Sequence, residues 1–126
     1  MKKTVLTENA PAPIGPYSQA VVANGMVYVS GQVAIDPATG EVKTDDLEEE
    51  THLVMKNLKA VLAASGSSLD QVIKCSIFIS DMGNFSRINE VYGSYFTGDF
   101  PARETVEVSC LPKNVNVEIS CMALVG

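Results

Sequence analysis

The chain has 126 residues, 46% of them hydrophobic and 19% charged, with a net charge of −6. That length suits one domain able to bury about two-thirds of its unfolded-chain surface, and the mix is neither disordered nor fibrous. Fifteen acids against nine bases argue against a nucleic-acid partner, because phosphate backbones are held by clustered Lys and Arg. A small or cationic ligand, or another protein, fits better. The three cysteines, Cys75, Cys110 and Cys121, are odd in number, lack C-x-x-C spacing and fall in predicted strands. They read as small apolar fillers in a reducing compartment. Met1-Lys2-Lys3-Thr4 leads into no apolar run, and no window approaches the roughly 20 apolar residues of a membrane span. The expectation is a soluble cytoplasmic protein.

In chain order, Lys3 to Thr7 reads as a first strand. Ala10 to Pro16 carries three prolines, which cannot donate to a ladder, so it is an extended loop ending at Tyr17-Ser18-Gln19. Ala20 to Ala23 and Met26 to Gln32 flank Asn24-Gly25, a strong two-residue hairpin signal. Asp36 to Gly40 is a turn. The spacing predicts a helix over Thr44 to Ser65, with Leu47, Val54, Leu58, Val61 and Leu62 on one stripe and Gly66 as its stop. Asp45, Asp46, Glu48, Glu49 and Glu50 suit the positive end of the helix dipole and read as a solvated helix start, not a metal site. Val72 to Ser80 is strand-like, with Ile73, Cys75, Ile77 and Ile79 expected inside. Asn84 is placed to cap a second helix with the stripe Phe85, Ile88, Tyr92, Tyr95 and Phe96, and Gly98 ends it.

Pro101 to Met122 alternates on both sides of Leu111-Pro112-Lys113-Asn114 and predicts a closing hairpin. Its register would set Glu107 opposite Glu118 and Arg103 opposite Met122. The fold class is therefore α+β, a single mixed sheet with both helices on one face. The other face interleaves Ser, Thr, Arg and Glu with Met26, Phe78, Met122 and Leu124. It is too apolar to be simply wet, and such a face usually meets another subunit.

The absences narrow the chemistry. There is no glycine-rich phosphate loop and only one histidine. His52 lies four residues after Glu48, which allows a surface pair on the helix. A His-dependent triad or a zinc site is thus disfavoured, and Cys110 and Cys121 have no nearby base. Arg103 and Glu118 remain, either as a functional pair or as interface salt-bridge partners.

Four motifs then appear in order: GPYSQA (Gly15 to Ala20), VSGQ (Val29 to Gln32), PAR-x-x-VEV (Pro101 to Val108) and LPK-x-V-x-VEI (Leu111 to Ile119). With AASG-x-SLDQV (Ala63 to Val72), they resemble the reactive intermediate deaminase (Rid) family, RidA branch, from about Tyr17 to the end. The resemblance implies a chorismate-mutase-like (bacillary type) homotrimer with ligand clefts between subunits. It implies hydrolysis of 2-iminoacids and their enamine tautomers, such as 2-iminobutanoate and 2-iminopropanoate, to 2-oxoacids and ammonia, without cofactor or metal. By motif position Arg103 would hold the substrate carboxylate and Glu118 would position or activate water. Backbone groups of Gly31 and Thr105 would touch the substrate, and Tyr17, Ser30 and Asn89 would line the cleft.

Many RidA members carry cysteine where this chain has Thr105, which removes any thiol reactivity there; Glu104, Ser120 and Cys121 also depart. The chemistry is consistent with the implied roles, since a bidentate guanidinium matches a carboxylate and an iminium carbon is already electrophilic. A non-catalytic carboxylate-binding trimer, a metabolite sensor or chaperone-like interactor, is the alternative. An RNA-cleaving role is disfavoured by the charge.

Overall fold

The computed structural model describes all 126 residues. Six strands form one mixed sheet in the order β1-β2-β3-β6-β4-β5. They are β1 (Lys3–Val5), β2 (Ala20–Ala23), β3 (Met26–Gln32), β4 (Val72–Ile79), β5 (Ala102–Glu107) and β6 (Val117–Leu124). All neighbours are antiparallel except β4 and β5. The β2–β3 hairpin turns at Asn24 and Gly25, both at positive φ (51° and 74°), as an Asn-Gly turn requires.

Two helices cross over one face. Helix α1 (Leu47–Ala64) begins at Asp46, whose carboxylate accepts from the amides of Glu48 and Glu49 and so caps two orphan donors. It ends at Ser65, followed by Gly66 at φ 79°. Helix α2 (Phe85–Gly93) is shorter and carries no side-chain cap from Asn84. The expected Asn84 cap is replaced by Asp81, which accepts from the Gly83 amide one turn earlier. Tyr95 and Phe96 lie beyond the helix but still pack against the core.

Val54, Met55, Leu58, Val61 and Leu62 of α1 meet Val27, Val29, Ile77, Ile79, Val117 and Ile119 of the sheet in one core cluster. Burying each such side chain contributes about 1.5–3 kcal/mol. The open face retains Tyr28, Met122, Leu124 and Val106 as exposed apolar side chains.

Several expectations are corrected. The closing hairpin does not form: β5 pairs with β4, in parallel, and β6 inserts between β3 and β4. Arg103 therefore stands opposite Cys75 and Glu107 opposite Ile79, while Glu118 stands opposite Phe78. The reason is burial. Val117, Ile119, Cys121 and Ala123 are all buried, which needs a neighbour strand on each side, whereas β5 is mostly polar and exposed and suits an edge.

Ile73 is exposed because the register slips between Val72 and Lys74, putting Val72 inside instead. Cys110 is exposed and lies outside any strand. His52 bonds through Nδ1 to the Tyr95 hydroxyl at 2.8 Å, while Glu48 pairs with Arg87.

Glu50 is not solvated. It is fully buried, and its carboxylate accepts from the Asn116 amide (2.8 Å) and Nδ2 (2.7 Å), tying α1 to the entry of β6. Burial pushes its pKa up, opposed by the Asn116 donations.

Gln19, also buried, anchors the proline-rich segment. Its Oε1 accepts from the Thr7 amide (2.7 Å), and its Nε2 donates to the carbonyls of Thr7, Ala10 and Pro11. A loop without a ladder thereby has its backbone groups satisfied.

Candidate active site: two groups of residues on one chain

Arg103 projects from β5 on the helix side of the sheet, the side shared by its partner Cys75. Its guanidinium carbon lies 5.5 Å from the centroid of Phe85 and 5.2 Å from that of Tyr92, and Nη1 donates to Asn89 Oδ1 at 2.6 Å. Two π faces and one amide oxygen thus aim a rigid fork, each cation–π contact at an exposed site contributing about 0.5–1 kcal/mol. Tyr92 itself packs against Phe96, the ring centroids 5.0 Å apart and the planes tilted by 51°. Arg103 has no carboxylate partner within its own chain. It borders a hollow of about 420 Å³ with Asn89, Tyr92, Gly93, Phe100 and Pro101. Thr105 follows on the same side, opposite Ile77, with a buried Oγ1 that has no hydrogen-bond partner.

Glu118 projects from β6 on the opposite, open side. Its strand neighbours Val117 and Ile119 are buried against the helices, so alternation turns it away from them. It is half-buried, receives no hydrogen bond within the protein, and burial raises its pKa. Its hollow, about 330 Å³, is lined among others by Ile14, Tyr17, Ser30, Gly31 and Pro112.

β3 bulges here. Between the pairs Val29–Cys121 and Gln32–Ile119, two residues, Ser30 and Gly31, face one on β6. Ser30 Oγ donates to the Ser18 carbonyl at 2.6 Å, and the Tyr17 hydroxyl accepts from the Ile14 amide at 3.3 Å.

The structure thus gathers the expected residues into two groups. Arg103, Asn89 and Thr105 stand at the β5 edge; Glu118, Gly31, Ser30 and Tyr17 stand at the β3–β6 end of the open face. One chain does not bring them together, and Arg103 and Glu118 do not form an ion pair within it. Reasoning from sequence missed Phe85 and Tyr92 as the platform for Arg103, reading them only as a core stripe. It also missed Gln19, which holds the wall carrying Tyr17.

A family profile described as Endoribonuclease L-PSP matches residues 7–125. The mouse 2-iminobutanoate/2-iminopropanoate deaminase is 40% identical over 126 residues, covering 100% of this chain and 93% of that one. The chain belongs to the Rid family. A RutC family protein of Pyrococcus horikoshii is 50% identical over 123 residues, 98% of each chain. Among solved structures, E. coli TdcF with bound serine superposes with a TM-score of 0.94 at 39% identity, covering 98% of this chain and 99% of that one. The mixed sheet with two helices is therefore the Rid architecture.

Proposed function

We propose that the protein hydrolyses 2-iminoacids and their enamine tautomers, 2-iminobutanoate and 2-iminopropanoate among them, to 2-oxoacids and ammonia, as a homotrimer with its clefts between subunits. The observation that carries this reading is Arg103: an exposed guanidinium, aimed by Phe85, Tyr92 and Asn89, with no internal counter-charge. Such a fork suits a planar carboxylate. The name of the mouse relative supports the chemistry. The apolar open face, with Tyr28, Met122, Leu124 and Val106 exposed, supports assembly, because a second copy seated there would bring one chain's β5 edge to the other's Glu118.

In this reading Arg103 grips the substrate carboxylate, and backbone groups of Thr105 and Gly31 hold the reacting end. Asn89, Tyr17 and Ser30 line the cleft. Glu118 takes a proton from water as its oxygen bonds to the imine carbon. The same carboxyl returns that proton to nitrogen; as the C–N bond breaks and ammonia leaves, the regenerated Glu118 carboxylate takes the hydroxyl proton, so that the carbon–oxygen bond becomes the ketone carbonyl. An iminium is electrophilic without further activation, so alignment and one base suffice.

The bound serine of the E. coli relative supports a second reading, a binder of small amino or oxo acids without turnover. A coupled assay decides. A threonine dehydratase generates the imine, and release of ammonia and 2-oxobutanoate is followed with and without the protein. Acceleration that is lost in Arg103→Ala supports the deaminase; no acceleration, with 2-oxobutanoate still bound, supports the binder.

A further inference from the structure

We infer that Gly31 is a positioning residue for Glu118: the missing side chain at the β3 bulge is the space in which the Glu118 carboxyl lies. A Cβ at position 31 would fall 2.0 Å from Glu118 Oε2, 2.7 Å from its Cδ and 3.0 Å from its Cγ. These are the three nearest heavy atoms, so a side chain here collides first with that carboxyl. Backbone conformation does not demand glycine at this position. Gly25, Gly40, Gly66, Gly98 and Gly126 all sit at positive φ, whereas Gly31 does not.

The bulge explains the geometry. With Ser30 and Gly31 together opposing one residue of β6, the Cβ direction at position 31 is turned onto Glu118 instead of alternating past it. Because Glu118 accepts no hydrogen bond from the chain, packing over the bare backbone of Gly31 is what keeps it inside the hollow beside Tyr17 and Pro112. The colliding group is the end of a flexible side chain. A methyl at position 31 therefore swings the carboxyl out toward water and leaves the sheet intact.

The inference rests on the reading of Glu118 as the base, but it is tested without it. In Gly31→Ala, the Glu118 carboxyl resonance, followed by ¹³C NMR across pH, titrates at a lower pH than in the wild type. The turnover number falls by about a hundredfold, as expected for a displaced catalytic group. An unmoved titration midpoint overturns the inference whatever the activity. Absence of turnover in the wild type removes the deaminase reading and leaves the NMR comparison to decide Gly31. Should Gly31→Ala fail to fold, Gly31→Ala/Glu118→Ala distinguishes the causes. Recovered folding places the conflict at the carboxyl, and continued failure overturns the inference.

Discussion

Arg103 and Glu118 leave opposite faces of the same sheet: the first lies against the aromatic rings of α2, the second lies over the bulge of β3. Within one chain the sheet stands between them. If both act on one substrate, each cleft borrows one of them from a neighbouring copy. Two inactive variants should then repair each other. Arg103→Ala and Glu118→Gln, each silent alone, recover about one quarter of wild-type activity when their subunits are exchanged at equal amounts, since random pairing leaves that share of clefts intact. The coupled dehydratase assay after subunit exchange reads this directly, and a mixture as dead as its parts excludes a shared cleft.

Replacing Arg103 by Lys keeps the charge but loses the planar fork. The expected result is a fall of about tenfold or more in kcat/KM. Stability should change by no more than about 0.5 kcal/mol, as for an exposed side chain. Steady-state kinetics and urea denaturation check the two halves separately.

Burial without a hydrogen-bond donor holds the Glu118 pKa above the ordinary carboxylate value. A base must be ionised, so activity rises with pH as Glu118 loses its proton. The midpoint of that acid limb lies above the usual range for glutamate. A pH–rate profile in which Glu118→Gln keeps the same limb would assign it to another group.

Glu50 offers a stability test of the same physics. Its folded pKa is raised, so its contribution is fully present below the unfolded carboxylate pKa and is lost as pH rises through the folded one. Asn116→Ala removes the Nδ2 donation and leaves Glu50 Oε1 unpaired. The loss is about 1–3 kcal/mol near neutrality, and it narrows toward acid pH as the carboxyl takes up its proton. Urea denaturation at mildly acidic and mildly alkaline pH reads the gap; equal losses at both would show that the carboxylate charge is not involved.

What could be read in advance follows from what alternation and spacing encode. The Asn24-Gly25 hairpin, the stripe on α1 and the mixed sheet with an apolar open face all came from local pattern. Pairing partners did not. Pro101 to Met122 alternates on both sides of a short turn, as a hairpin would, and alternation is silent on which strand lies alongside. The legible clue was composition: β5 reads Ala-Arg-Glu-Thr-Val-Glu, an edge, while Val117, Ile119, Cys121 and Ala123 mark a centre. Glu50 was open to the same correction. It stands three residues after Leu47 and four before Val54, on the apolar stripe, so its place was inside despite its charge. The division of Arg103 from Glu118 was beyond reach, because it depends on the pairing order that local pattern omits.

Gln19 carries a last consequence. Four contacts from one amide fasten the stretch from Thr7 to Pro11 to the start of β2, immediately upstream of Ile14 and Tyr17 on the rim above Glu118. The stretch that leads into that rim is thereby held to the sheet through Gln19. Entry and exit of small molecules on this side should therefore proceed past a fixed threshold, with selectivity set by the contour of the opening and not by the timing of a moving flap.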